Sequence, residues 1–182
     1  MRFLLALASV AGLALLAGCD RNAATAAPGT PAAITNKNVI STQYHLNQAQ
    51  PKLRTIKLWI GTQEIETETA VSVTEISTGM MFRTNMAENT GMLFLFAGPD
   101  QRSFYMKNCV IDLSAAYIDT EGVIDQIVDL HKAVETPVAS RSDQIKYVLE
   151  VPRGWFGRHN ITAGMVINTS QGPLKNLRGI LR

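Results

Sequence analysis

What this 182-residue chain lacks first is any catalytic signature. It has no Gly-rich loop of the kind that cradles phosphates and no cysteine–histidine spacing of a zinc site. No acid–base pair, nucleophile triad or metal constellation can be assembled from its motifs. Cysteine is scarce, with only Cys19 and Cys109. Charge of one sign is also scarce: the formal net charge is +2 and the basic residues are scattered rather than blocked. Nothing in that pattern marks a nucleic-acid footprint, and no cofactor is implied. The longest apolar run of the amino terminus, Phe3 to Leu16, falls short of the roughly 20 apolar residues a membrane span needs.

That run is the right length for a secretory signal. It follows Arg2 and ends in Leu16-Ala17-Gly18-Cys19, which resembles the lipobox of bacterial lipoproteins at all four positions. The resemblance implies that residues 1–18 are removed and that Cys19 becomes a diacylglyceryl-modified, N-acylated first residue, a membrane tether that leaves its sulfur unavailable to Cys109. An acidic residue after the cysteine, here Asp20, resembles the signal for retention at the periplasmic face of the inner membrane; the outer membrane is the alternative. Residues 19–50 are poor in large apolar groups, with AATAAPGTPAA at 23–33, and cannot bury enough surface to offset their ordering entropy. They are expected to form a flexible linker, followed by a folded domain over 51–171 and a frayed basic tail over 172–182.

Within the domain, Ile56, Leu58 and Ile60 alternate at period two before Gly61, which predicts a strand or hairpin with one wet face. Ser72-Val73-Thr74-Glu75 fits a capping box, with Val71 and Ile76 at the staple positions and Gly79 as a stop. One short helix near residues 72–82 follows. Met92 to Phe96 reads as a strand buried on both faces, and Gly98-Pro99-Asp100 as a turn. A hairpin is expected there, with 104–108 returning so that Phe104, Met106 and Asn108 share one face and Tyr105, Lys107 and Cys109 the other. Leu113–Ile118 and Val123–Leu130 should pair through Asp119-Thr120-Glu121-Gly122; Ile145–Val151 and Met165–Ile167 complete about seven strands. The fold class is mainly β, a β-sandwich of jelly-roll character or a partly open barrel.

Arg83, Lys107, Asn108 and Glu150 are polar positions inside apolar motifs. They form the candidate ligand-binding set, a recessed pocket for a small polar or anionic molecule. The competing account pairs Arg83 with Glu150 and uses Asn108 to tie a turn. Asp125, Asp129 and His131 share one face of a strand by even spacing and are weak metal candidates; a solvated strand face explains them more simply. Met80, Met81, Met86, Met92, Met106 and Met165 could offer thioethers to Cu(I), but mostly occupy core positions. Cys109 has no recognisable histidine partner.

Ser72-x-x-Glu75, GMMFR at 79–83, GMLFLF at 91–96, FYMKNC at 104–109, AYID at 116–119, YVLEVPRG at 147–154 and Gly164 together resemble the domain of unknown function 192 family over about residues 56–170. The resemblance implies a compact, mainly β, jelly-roll-like domain and no established activity. The chain departs from the family pattern at Asp112-Leu113-Ser114, where Pro-Leu-Asp is usual, at Tyr105 in place of tryptophan, and at Gly164-Met165 in place of Gly-Asp. The expected function is a membrane-tethered, exported binding or accessory module without catalysis, its partner an envelope protein or a small ligand. An envelope hydrolase or carbohydrate-modifying enzyme with a cleft near Arg83 and Lys107 is the alternative.

Overall fold

The computed structural model of the protein describes residues 44–178. The expected signal peptide over 1–18, Cys19, Asp20, the expected linker up to residue 43 and residues 179–182 lie outside the described residues. Strands β1 (Thr55–Ile60) and β2 (Gln63–Ala70) form the expected hairpin, turning at Gly61 with φ +59°. Helix α1 (Val73–Thr78) then carries the chain over to β3 (Thr90–Asp100), which pairs parallel to β2. After β4 (Ser103–Phe104) come the antiparallel β5 (Leu113–Asp119) and β6 (Ile124–Leu130), then β7 (Val138–Ala139), which pairs with β4. Strand β8 (Ile145–Pro152) inserts between β3 and β5. Helix α2 (Trp155–Arg158), β9 (Ile167–Thr169), β10 (Gly172–Pro173) and a 3₁₀ turn (Leu174–Asn176) close the chain.

The main sheet has the order β10-β9-β1-β2-β3-β8-β5-β6 and curls into a half-barrel. Its far sides meet where Val123 bridges Val166, with Ile124 N donating to Met165 O and Ile167 N to Gly122 O, both at 2.9 Å. The mainly β expectation holds. Apolar residues on the inner side of the curl, among them Leu58, Ile60, Leu93, Leu149, Trp155 and Ile167, form one core. A second core lies on the other face, where Met92, Phe94, Ala115, Tyr117 and Val148 are covered by Met80, Met81, Met106 and Cys109. Sheet residues of the two cores alternate along β3, β5 and β8. These strands are therefore buried on both sides, which explains their near-continuous apolar sequence.

The capping box is formed: the Ser72 hydroxyl accepts from Glu75 N, and the Glu75 carboxylate accepts from Ser72 N (2.8 Å) and Val71 N (2.9 Å). Gly79, at φ +46°, ends the helix. The turn between β5 and β6 is held by Asp119 Oδ1, which accepts from Glu121 N and Val123 N.

Three expectations are corrected. Gly98-Pro99-Asp100 does not reverse the chain. Strand β3 runs through it, and residues 96–99 bulge out between the Leu95–Tyr147 and Asp100–Ile145 pairs; a proline without an N–H is tolerated in such an irregular stretch. Residues 104–108 consequently do not pair with β3. The tail does not fray from Gly172, because Gly172 and Pro173 pair with β9 and Leu174 is fully buried. The linker's last residues are docked: the buried Gln50 side-chain amide donates to Gly79 O (2.9 Å) and Glu75 O (3.2 Å), and Leu46 N donates to Thr78 Oγ1 (3.0 Å). The carbonyls of Glu75 and Gly79 at the end of α1 give that polar segment something to bind.

Candidate functional site: a cavity over Glu150

Register aligns Glu68 of β2, Met92 of β3, Glu150 of β8, Ala115 of β5 and Val128 of β6 in one row across the second face. Two carboxylates therefore sit two strands apart, about 10 Å by the usual interstrand spacing. Their environments differ.

Glu68 is paired. Its carboxylate accepts from Arg83 Nη1 at 2.5 Å and Nη2 at 2.8 Å and from Leu53 N at 2.6 Å. Burial pushes its pKa up, but the hydrogen bonds from Arg83 and Leu53 outweigh this and hold it below the usual carboxylate value. The expected Arg83–Glu150 contact is thus replaced by Arg83–Glu68, and Arg83 faces a separate cavity of about 230 Å³ shared with Lys52, Glu66 and Asn85.

Glu150 is alone. It is 4% exposed, and its Oε2 is buried with no hydrogen-bond partner. Burial pushes its pKa to about 8, so the neutral acid predominates at pH 7. A buried polar atom without a partner is uncommon in a native fold and calls for a reason.

The reason offered by the geometry is the space beside it. A cavity of about 320 Å³ lies between the end of α1, continuing through Met80 and Met81, and the segment 101–105, with Phe94 and Glu150 of neighbouring strands also lining it. Phe104 packs edge-on against Phe94 with ring centroids 4.9 Å apart. Arg102 lies over Phe96 at 3.9 Å and donates from Nε to Ile145 O at 3.3 Å. Burial draws the Arg102 pKa down, with Asp100 opposing. Exposed Tyr105 and Gln101 mark the mouth. Cys109 also lines the cavity, but burial, helped by Glu150, lifts its thiol to about 12. Only 7% exposed and packed in the second core, Cys109 sits as a core residue with little thiolate near neutrality.

The other sequence candidates lie elsewhere. Lys107 is half-buried and lines neither cavity. Asn108 is exposed at φ +56°; its carbonyl accepts from Phe82 N at 2.8 Å and its amide approaches Met81 Sδ at 3.8 Å. Asp125 is the extra residue of a bulge between the Ile118–Ile124 and Tyr117–Gln126 pairs, so the alternation that placed it with Asp129 and His131 is broken. Asp129 accepts from Ser114 Oγ at 2.6 Å, and Asp112 from Lys132 N. No group of three or more metal-ligating His, Cys, Asp or Glu side chains is found among the described residues. Met80, Met81, Met92 and Met106 are buried in the second core. Sequence reasoning missed Glu68, Arg102 and Gln50. Glu68 alternates with Thr67 and Thr69 and reads as solvated; only its covering by Leu53 and Arg83 reveals it.

A family model for DUF192, described as "Uncharacterized ACR", matches residues 56–169. A search of the curated proteins finds no match. Among solved structures, a "putative transcription regulator" from Sinorhizobium meliloti 1021 is similar at 24% identity and a TM-score of 0.63, over 67% of this chain and 98% of that one. At that identity the likeness speaks to the fold alone. A protein of unknown function from Novosphingobium aromaticivorans DSM 12444 is similar at 28% identity and a TM-score of 0.61, over 64% of this chain and 86% of that one.

Proposed function

The chain belongs to the DUF192 family, and on that footing we propose that it is a non-catalytic binding module, held at the cell envelope by a lipid on Cys19, that takes a small molecule into the cavity over Glu150. One observation carries the binding role: a buried carboxyl with an unpartnered oxygen lines a cavity whose wall combines Phe94, Phe96, Phe104, Met80 and Met81 with a few polar side chains, Arg102 among them. Cavities of about 300–1,000 Å³ with apolar walls and few polar groups are the usual form of small-molecule sites, and this one lies at the small end. Arg83 and Lys107 do not share a cleft, which leaves the hydrolase alternative without its assembled groups. The tether rests on the lipobox resemblance, and Asp20 favours the periplasmic face of the inner membrane.

Methionine methyl NMR of the full-length protein in nanodiscs tests the pocket. Met80 and Met81 line it, whereas Met165 packs against the other core and reports nonspecific partitioning. Small aromatic and aliphatic oxygen compounds should move the first two resonances saturably and leave Met165 in place. Uniform or non-saturable shifts throughout would remove the binding role. For the tether, Cys19→Ala should release the protein from the membrane fraction; a wild type that is already soluble would overturn it.

A further inference from the structure

We propose that Glu150 is the specificity-determining group of this cavity, a protonated carboxyl that donates its single hydrogen bond to an uncharged oxygen acceptor on an otherwise apolar ligand. The inference rests on the binding reading above and names the class of molecule bound.

Three features of the site select that class. A cationic ligand would need Glu150 ionised, and the fully charged side chain that shares the cavity, Arg102, is itself positive. An anionic ligand would need a cation at depth, and Arg102 is already engaged: its Nη2 donates to Gly98 O and its Nε to Ile145 O, while its guanidinium covers Phe96. Arg83, the other arginine on this face, is committed to Glu68. A neutral molecule with a carbonyl or ether oxygen leaves every charge where it is and gives the orphaned carboxyl oxygen a partner. A carboxylic acid kept neutral by apolar surroundings is an effective donor for this purpose.

The titratable groups around Glu150 keep it available as a donor. Cys109, from the covering segment, and Tyr117, from β5, are both pushed to about 12, chiefly by burial, and both stay protonated through the neutral range. The Tyr117 hydroxyl is already spent on Val138 O. Glu68 lies across Met92 in the same row with its charge matched by Arg83. Glu150 is then the group whose protonation changes between pH 6 and 9 at this site, and its donor is lost as pH rises through about 8.

Three probes of similar shape separate the possibilities: acetophenone carries an uncharged acceptor, ethylbenzene none, and 1-phenylethylamine a cation. Affinities are read from the Met80 and Met81 methyl resonances of the full-length protein in nanodiscs. Acetophenone should bind tightest at pH 6, with its affinity falling about tenfold by pH 9 as the donor titrates away. Glu150→Gln keeps a donor that cannot ionise, and should hold acetophenone with no pH dependence. Glu150→Leu should bind acetophenone and ethylbenzene alike. Equal wild-type affinity for acetophenone and ethylbenzene, or tightest binding of the amine with affinity rising with pH, would overturn the assignment while leaving the cavity a binding site. Failure of all three probes to move Met80 and Met81 would instead overturn the binding reading on which it stands.

Discussion

Replacing Glu150 by leucine should remove the loss of stability that this carboxyl imposes as pH rises, and the sign follows from linkage. Glu150 titrates near 8 when folded and near the ordinary 4.5 when unfolded. Between those values the folded state binds more protons than the unfolded one, so stability is fully present below about pH 4.5 and is lost as pH rises toward 8. Each pH unit of that window costs about 1.4 kcal/mol, and the whole of it about 5 kcal/mol, a large part of the roughly 5–15 kcal/mol by which domains are folded. Leucine carries no proton to lose and suits neighbours such as Met92 and Ala115. The assay is urea unfolding at half-unit steps from pH 4.5 to 9, comparing midpoints of wild type and Glu150→Leu. Comparison cancels the contributions of all other titrating groups. The variant should match wild type near pH 4.5, gain on it steadily to pH 8, and hold a constant lead of several kcal/mol above. A difference that stays flat between pH 5 and 8 would show that Glu150 is ionised and solvated in the folded protein, and the account of the cavity would fall with it.

Arg83→Met should destabilise by about 2–4 kcal/mol because it strands Glu68 beneath Leu53; adding Glu68→Leu should recover most of the loss in the same unfolding assay. Gly91→Ala should cost about 1–3 kcal/mol, since a Cβ there would lie 2.9 Å from Glu150 O and 3.1 Å from Leu149 Cδ1, which thermal unfolding would register. Cys109 should resist a thiol reagent in the native state and react on addition of denaturant; rapid native labelling at pH 8 would contradict its burial. Gln50→Ala should cost about 1–2 kcal/mol and speed amide hydrogen exchange in α1.

What could be read from the sequence was what is decided locally. The capping box at Ser72–Glu75 and the turn at Asp119–Gly122 are determined within a few residues, and both appear where expected. Gly98-Pro99-Asp100 has the same turn composition, yet the strand continues through it by way of a bulge. The neighbours of β3 are β2, reached through a helical crossover, and β8, about fifty residues further on, so no local rule foretells the pairing. The site divides in the same way. Glu150 was visible as a charge inside YVLEV, because a polar residue in a strand buried on both faces is conspicuous. Its lack of a partner was not visible, because that depends on Arg83 reaching Glu68 two strands away. Lys107 and Asn108 stand out only under a hairpin alternation, and because β4 pairs with β7 rather than with β3 that alternation places neither of them in the cavity.

The docked stretch from Leu46 to Gln50 gives the fold a handle. It is latched to the carbonyls and the Thr78 hydroxyl at the end of the same short helix that walls the cavity, so tension applied to the chain ahead of Tyr44 reaches that helix before it reaches any strand. Undoing the Gln50 latch would take from the Gly79 carbonyl, in the cavity wall, the amide that now holds it.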